Sequence, residues 1–161
     1  MYIRQPAHMN ALENKVPPPI VALLIGAAMW AVARLSPLPE GGSPLRLAIS
    51  CGLAGMGVLV AVLGMLAFHR AKTTINPVNI RAASSIVTSG VYRYTRNPMY
   101  VGLTLMLVGW AVHIAVPFAL VGPVVFILFI TRFQIIPEER VLTSKFGGEY
   151  RKYQERVRRW L

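Results

Sequence analysis

Four long apolar blocks constrain the fold of this chain more than any other feature of its sequence. They cover about residues 19–35, 45–68, 99–115 and 118–136. A helix needs about 20 consecutive apolar residues to cross the hydrocarbon core of a bilayer, so four such helices use about half of the chain. The sequence therefore predicts an all-α polytopic membrane protein with about four transmembrane helices, formed as a single domain over residues 1–161.

The tail that follows the fourth block predicts one more helix, over residues 137–161. Apolar and aromatic side chains, including Leu142, Phe146, Tyr150 and Tyr153, fall on one face of it, and Arg and Glu occupy much of the rest. Such a helix lies along the membrane surface or folds back on the bundle. We expect a C-terminal amphipathic helix at the cytoplasmic face.

The net charge of +11 is concentrated between and after the apolar blocks. This placement follows the positive-inside rule and the attraction of anionic lipid headgroups, and it argues against nucleic acid as a partner. The connection over residues 69–98 and the tail are the basic segments, whereas the turn near Pro117 carries no charge. We expect both termini to be cytoplasmic, in the inner membrane, with the third and fourth blocks forming a hairpin.

This hairpin brings two polar clusters to one face of the membrane. The first cluster, residues 90–102, includes Arg96 and precedes the third block, and the second follows the fourth block with Arg132, Glu138 and Glu139. An arginine beside a glutamate pair can hold a zwitterionic ligand, because it supplies a cation for a carboxylate and acceptors for an ammonium group or for ribose hydroxyls.

Each cluster also has an explanation that needs no ligand. Glu138 and Glu139 follow Pro137, and carboxylates in a first helical turn offset the positive end of the helix dipole. Arg93 and Arg96 can anchor to lipid phosphates. Arg132 interrupts an apolar segment, where such residues line a polar cavity, pair with another charge or extend to the interface.

The two clusters together resemble the isoprenylcysteine carboxyl methyltransferase family and its phospholipid methyltransferase relatives. The stretch Arg96-Asn97-Pro98-Met99-Tyr100-Val101-Gly102 resembles the RHPxYxG motif of that family. The second cluster resembles its C-terminal signature, with Glu138-Glu139, Leu142, Phe146-Gly147, Tyr150, Tyr153 and Val157. Thr73-Thr74-Ile75-Asn76-Pro77 and Val87-Thr88-Ser89-Gly90 also resemble the approach to the first motif in bacterial members. The resemblance covers about residues 70–160.

The resemblance implies transmembrane helices that close over S-adenosylmethionine, with S-adenosylhomocysteine as the product. The residues it places on this cofactor are Tyr92, Arg96, Asn97, Pro98, Tyr100, Gly102, Glu138 and Glu139. It places Asn76, Tyr150 and Tyr153 near the substrate or in a lid over the site. Asn97 replaces the usual histidine of the motif, and since an amide carries no proton near neutral pH, that position is unsuited to act as a base.

The implied reaction is in-line methyl transfer to a lipophilic or membrane-embedded acceptor, with Glu138, Glu139 and Arg132 as catalytic candidates. A carboxylate acceptor needs no base, whereas a phospholipid amine or a thiol must lose a proton, to Glu138 or Glu139. The alternative is a non-catalytic membrane scaffold or transport subunit that retains the fold. No Cys–His or His–His spacing suits a metal, so we expect none. The motifs do not encode the acceptor.

Overall fold

The computed structural model describes residue 13 and residues 16–35, 43–71 and 85–161. Asn76 and the segment Thr73-Thr74-Ile75-Asn76-Pro77 lie outside these described residues. Within them every regular element is a helix, which confirms the predicted all-α class. The α-helices are α1 (Pro18–Arg34), α2 (Pro44–Arg70), α3 (Pro98–Ile114), α4 (Val121–Ile130), α5 (Ile136–Phe146) and α6 (Gly148–Arg156).

The first three apolar blocks become α1, α2 and α3, and each of these helices starts at a proline. Proline suits a first helical position because its fixed φ is helical and its missing N–H would have no partner there. The predicted and observed boundaries of these three helices differ by at most two residues.

The fourth block belongs to a longer continuous helix of 30 residues, Pro117–Phe146, which contains α4, α5 and a 3-10 turn, Pro117–Leu120, at its start. This helix and α2 are long and apolar enough to cross a membrane, with mean hydropathies of 2.1 and 2.3. Apolar side chains cover the outer face of α2, as a lipid-facing helix requires. Since α1 and α3 have only 17 residues each, the count of four spans stays a prediction.

Glycines bring α2 and α3 into close contact. A methyl group at Gly57 would lie 2.5 Å from the carbonyl oxygen of Gly102, and one at Gly109 would lie 2.8 Å from that of Ser50. Small residues allow membrane helices to approach this closely. The structure therefore gives Gly102, which the resemblance assigns to the cofactor, a packing role against α2.

The α3–α4 hairpin predicted from the charges is confirmed, because side chains of both helices share one core. Phe126 and Ile130 of α4 are fully buried and pack with Leu107 and Tyr100 of α3 and with Met29 of α1. The chain reverses at Ala115, which adopts a left-handed conformation before Pro117. Since Tyr100 belongs to this core, packing fixes the ring whose hydroxyl reaches the site described below.

The tail is two helices and an extended end, so the prediction of a single helix over 137–161 is wrong. Helix α5 ends at Gly147, which has a φ of +55°, and α6 starts at the next residue. Glycine adopts this left-handed φ without steric cost, and it commonly ends helices. Helix α6 folds back on the bundle, where its buried side chains Tyr150 and Tyr153, and Val157 just after it, pack with the partly buried Ile86, Leu142 and Phe146.

Candidate functional site

The start of α3 and the start of α5 meet at Glu138. The Tyr100 hydroxyl donates to Glu138 Oε1 at 2.7 Å, and Gln134 Nε2 donates to the same oxygen at 2.7 Å. Gln134 lies in a π-helical turn, Thr131–Ile135, which ends two positions before Pro137. Proline has no N–H for the carbonyl four residues earlier, and a wide turn is one way for a helix to accommodate it. Turns of this kind are frequent at functional sites.

The neighbouring carboxylate, Glu139, lies between two arginines. Arg96 Nη1 is 2.9 Å from Glu139 Oε1. Arg159 donates to both oxygens, from Nε to Oε1 at 3.0 Å and from Nη2 to Oε2 at 2.7 Å. The two-point contact matches the planar guanidinium to the carboxylate, which makes it the stronger of the two pairs.

The buried side chain of Arg96 has hydrogen-bond donors that no acceptor in the described part of the chain satisfies. Its side chain is 11% exposed, and its Nε and Nη1 atoms are buried without a hydrogen-bond partner among the described residues. The 2.9 Å approach to Glu139 is therefore a charge contact without an aligned N–H. Buried donors without partners are costly, so a site that leaves them in place is suited to receive an acceptor.

The end of the chain is fastened across the loop that precedes α3. The Arg96 backbone N–H donates to the carbonyl of Arg158 at 3.0 Å. Asn97 Nδ2 donates to the carbonyl of Arg159 at 2.8 Å, and the Thr95 hydroxyl donates to the same oxygen at 3.3 Å. The Asn97 side chain, predicted on the cofactor, is therefore used to hold the extended end in place.

Three tyrosines connect α6 to this loop. The Tyr153 hydroxyl donates to the carbonyl of Tyr92 at 2.8 Å, and burial raises the pKa of both side chains above their ordinary value. Burial also raises the pKa of Tyr150 to about 12, with Glu139 adding to the rise and Arg96 opposing it. Tyr150 thus lies beside the Arg96–Glu139 pair, whereas Tyr92 and Tyr153 fix the loop against α6.

The structure does not bring Arg132 into contact with Glu138 or Glu139. Its Nη1 atom lies 3.1 Å from Oε1 of Glu13, and Arg140 Nη2 lies 3.0 Å from the same oxygen. Burial by itself raises the pKa of Glu13, but the hydrogen bonds from the two arginines outweigh it and hold the pKa below its usual value. Arg132 is therefore part of a second cluster, in which Glu13 is held by two arginines of the long helix Pro117–Phe146.

The remaining candidate, Pro98, is fully buried at the first position of α3. It packs close to Gly64 of α2, since a methyl group at Gly64 would lie 3.3 Å from the proline ring. Its clearest role in the structure is to start α3 in the position that directs Tyr100 towards Glu138.

Comparison with known proteins identifies the family of this fold and site. Residues 45–149 match the phospholipid methyltransferase family. The chain belongs to this family. The matched residues include α2 except its first residue, α3, the whole long helix and the Arg96, Glu138 and Glu139 positions, so the predicted family is confirmed.

Individual relatives agree with the family. The chain is 33% identical to protein-S-isoprenylcysteine O-methyltransferase A of Arabidopsis thaliana over 105 residues, 63% of this chain and 52% of the plant protein. It is 33% identical to the Rattus norvegicus protein-S-isoprenylcysteine O-methyltransferase over 115 residues, 65% of this chain and 39% of the rat protein. It is also 49% identical over 63 residues to an uncharacterized protein of Haemophilus influenzae, 39% of this chain and all of that protein.

The chain thus spans about half the length of the plant methyltransferase and less than half the length of the rat protein. The family and the names of these relatives support a methyltransferase enzyme. Together with the two long apolar helices, they mark the phospholipid methyltransferase family member as a membrane protein. In the described ranges no group of three His, Cys, Asp or Glu side chains could hold a metal ion, and the expectation of no metal stays a prediction.

Three residues that contact the candidate site residues were not predicted from the sequence: Gln134, Arg159 and Glu13. Gln134 precedes Glu138 by four positions, a helical spacing that indicates contact and could have been used. Arg159 and Glu13 lie 20 and 119 residues from their partners, and no local pattern reports such contacts. Composition gave one general signal. With six acidic and 17 basic residues, each carboxylate has several possible cationic partners, so ion pairs between distant residues are expected.

Proposed function

We propose that this phospholipid methyltransferase family member transfers the methyl group of S-adenosylmethionine to a lipophilic acceptor. The reaction takes place at the cytoplasmic face of the inner membrane, where both termini also lie. The observation that carries the proposal is the buried guanidinium of Arg96, which has unused donors beside Glu139. The distribution of charge supports this orientation, because the 69–98 connection and the tail together contain most of the Lys and Arg residues of the chain.

The residues present fit the methionine end of this cofactor. Arg96 and Arg159 together face one carboxylate, Glu139, which leaves one positive charge in excess. A carboxylate of the ligand would balance that charge and accept from the unused Arg96 donors. Glu138, which accepts hydrogen bonds from the neutral side chains of Tyr100 and Gln134, would accept from an ammonium group or from ribose hydroxyls.

The bound cofactor would supply a methyl group already activated for transfer by its sulfonium. The task of the protein is then to hold the acceptor and donor in line and to exclude water. Orientation of this kind contributes about 7–11 kcal/mol of barrier lowering in favourable cases. Tyr150 lies beside the Arg96–Glu139 pair, which supports its assignment to the substrate side or to a lid over the site.

Glu138 is the better candidate for a general base of the two glutamates. Both oxygens of Glu139 are held by guanidinium groups, Oε1 by Arg96 and Oε2 by Arg159, so neither oxygen is free to contact an acceptor. Glu138 is held by a phenol and an amide, both of them neutral. An amine or thiol acceptor would therefore lose its proton to Glu138, and a carboxylate acceptor would need no base.

The acceptor reaches the site from the bilayer in this proposal. The family name points to phospholipids and the relatives' names to isoprenylcysteine, two acceptors with a long apolar part. Both suit a site at the end of apolar helices, because the apolar part can stay in the lipid while the reacting group lies at the interface.

The test is methyl transfer by the protein in lipid nanodiscs, supplied with S-adenosylmethionine labelled on its methyl group. Phosphatidylethanolamine and a farnesylated cysteine serve as the amine and carboxylate acceptors, and label in the lipid or cysteine product is measured. The proposal predicts label in one of these products and its loss in Arg96→Ala. If folded protein labels neither acceptor and binds no S-adenosylhomocysteine, the scaffold or transport alternative is the better account.

A further inference from the structure

Glu138 is held at the candidate site by one of its two oxygens. Its Oε1 atom accepts from the Tyr100 hydroxyl and from Gln134 Nε2, both at 2.7 Å. No hydrogen-bond donor of the described residues contacts Oε2. This oxygen is accessible, because the buried side-chain polar atoms without a partner in the described chain all belong to Arg96. The carboxylate is therefore fixed in position while one of its oxygens stays open to a ligand.

The π-helical turn Thr131–Ile135 determines the direction in which Glu138 points. In a regular α-helix, which turns about 100° per residue, a residue and the eighth one after it lie about 80° apart around the axis. A π-turn takes up about one additional residue, which reduces this angle to about 20°. Glu138 is the eighth residue after Ile130, which is buried in the same core as Tyr100. The turn therefore directs Glu138 to the side of the long helix that faces α3.

Gln134 belongs to this turn, and its amide is buried. The side chain is 3% exposed and precedes Ile135, which is fully buried. A buried amide is costly unless it is hydrogen-bonded, whereas an apolar side chain of similar size has no such cost. The hydrogen bond from Nε2 to Glu138 satisfies the amide. We attribute the presence of an amide at this position to its hold on Glu138.

Both groups that hold Glu138 are neutral. A phenol and an amide fix the position of a carboxylate without neutralising its charge, in contrast to the two guanidinium groups that contact Glu139. Hydrogen bonds to an ionised group are about twice as strong as those between neutral groups, so the open oxygen of Glu138 stays a strong acceptor. It suits an ammonium group or a ribose hydroxyl of a ligand.

We propose that Gln134 is a positioning residue of the candidate site. Together with Tyr100 it holds Oε1 of Glu138, so that Oε2 contacts the polar groups of the bound ligand. The inference rests on the proposed function, because the ligand is the S-adenosyl compound of that reaction. Gln134 does not touch the ligand, and its effect on binding passes through Glu138.

Calorimetric titration of S-adenosylhomocysteine into the full chain in lipid nanodiscs tests this role through a double-mutant cycle. Gln134→Met removes the donor at nearly constant volume and is expected to weaken binding about tenfold. In a Glu138→Ala background the same substitution is expected to change the affinity by less than about twofold, because no carboxylate remains to be positioned. Gln154→Met, the same substitution in α6, is the matched control and is expected to bind normally.

Two results would overturn this inference alone. One is unchanged affinity in Gln134→Met, or in Gln134→Asn, a second variant that withdraws the donor by shortening the side chain. The other is an equal loss with and without the Glu138 carboxylate, which would give Gln134 a packing role only. Both results leave the proposed function in place, since the unmodified chain still binds the ligand. No binding by the folded unmodified chain would overturn the proposed function and this inference together.

Discussion

Arg159 and Glu139 form a two-point ion pair across 20 residues of sequence, with N–O distances of 3.0 and 2.7 Å. This pair has two consequences for the site. It fastens the extended end of the chain over the loop before α3, and it satisfies both oxygens of Glu139. Since Glu139 is thus held by Arg159, the buried donors of Arg96 stay available to a ligand.

Arg159→Ala is expected to weaken binding of S-adenosylhomocysteine about tenfold, equivalent to about 1.4 kcal/mol. Without Arg159, Glu139 has only Arg96 as its cation, and the guanidinium is drawn away from the ligand. Calorimetric titration measures the affinity. Arg158→Ala is the matched control, because its side chain is exposed while its backbone carbonyl still accepts from Arg96. Unchanged affinity in Arg159→Ala would remove this support role.

Glu138→Gln distinguishes the acceptor classes. Loss of a general base lowers the rate by about 10²–10⁴-fold, so transfer to an amine or thiol is expected to fall by that factor, whereas transfer to a carboxylate is expected to stay near the unmodified rate. Initial rates at saturating donor measure both. Glu149→Gln, which changes an exposed glutamate of α6, is the control. A full amine-transfer rate in Glu138→Gln would exclude a base role for Glu138.

The sequence predicted the helices well because their signals are local. Apolar blocks and prolines determine where α1, α2 and α3 start, and the charges predicted that α3 and α4 pair. The sequence did not show which arginine would neutralise which carboxylate. Arg132 was predicted beside Glu138 and Glu139, yet it pairs with Glu13, since the side chains meet through tertiary packing that no spacing records.

The tail and Gly102 show a second limit of prediction from the sequence. The apolar face of the tail has helical spacing on both sides of Gly147, so periodicity alone continued one helix through the break. Gly102 belongs to a motif that the resemblance assigns to the cofactor, and it also faces the backbone of α2. A motif position with a packing role cannot be separated from one with a ligand role until the neighbouring helix is known.

Glu13 makes the stability of the protein depend on pH in acid. Its pKa is lowered in the folded state, so the pairs with Arg132 and Arg140 stabilise the fold above the ordinary pKa of 4.5 and are lost as the pH falls through the folded-state value. Glu13→Gln is therefore expected to lower the unfolding midpoint at pH 7, with a difference from the unmodified protein that shrinks below pH 4.5. Thermal unfolding in detergent at both pH values measures it. A difference that is constant with pH would contradict this linkage.

Gly57→Ala tests the α2–α3 contact. The added methyl group would lie 2.5 Å from the carbonyl oxygen of Gly102, and forcing extra volume into such packing costs about 1–3 kcal/mol of unfolding free energy. Gly52→Ala is the matched control on the same helix, because nothing lies within 4 Å of its methyl position. Unfolding in a titration with a denaturing detergent compares the two variants. Equal stability would show that α2 and α3 are not in close contact at Gly57.

The measurement that tests the central claim most directly is calorimetric titration of S-adenosylhomocysteine into the protein in lipid nanodiscs. The account predicts binding by the unmodified chain and a loss of about 1.5–3 kcal/mol in Arg96→Ala, the range for hydrogen bonds to charged groups. Arg93→Ala, which changes an exposed arginine of the same segment, is expected to bind normally. No binding by folded protein, or the same affinity in Arg96→Ala as in the unmodified chain, would contradict the account.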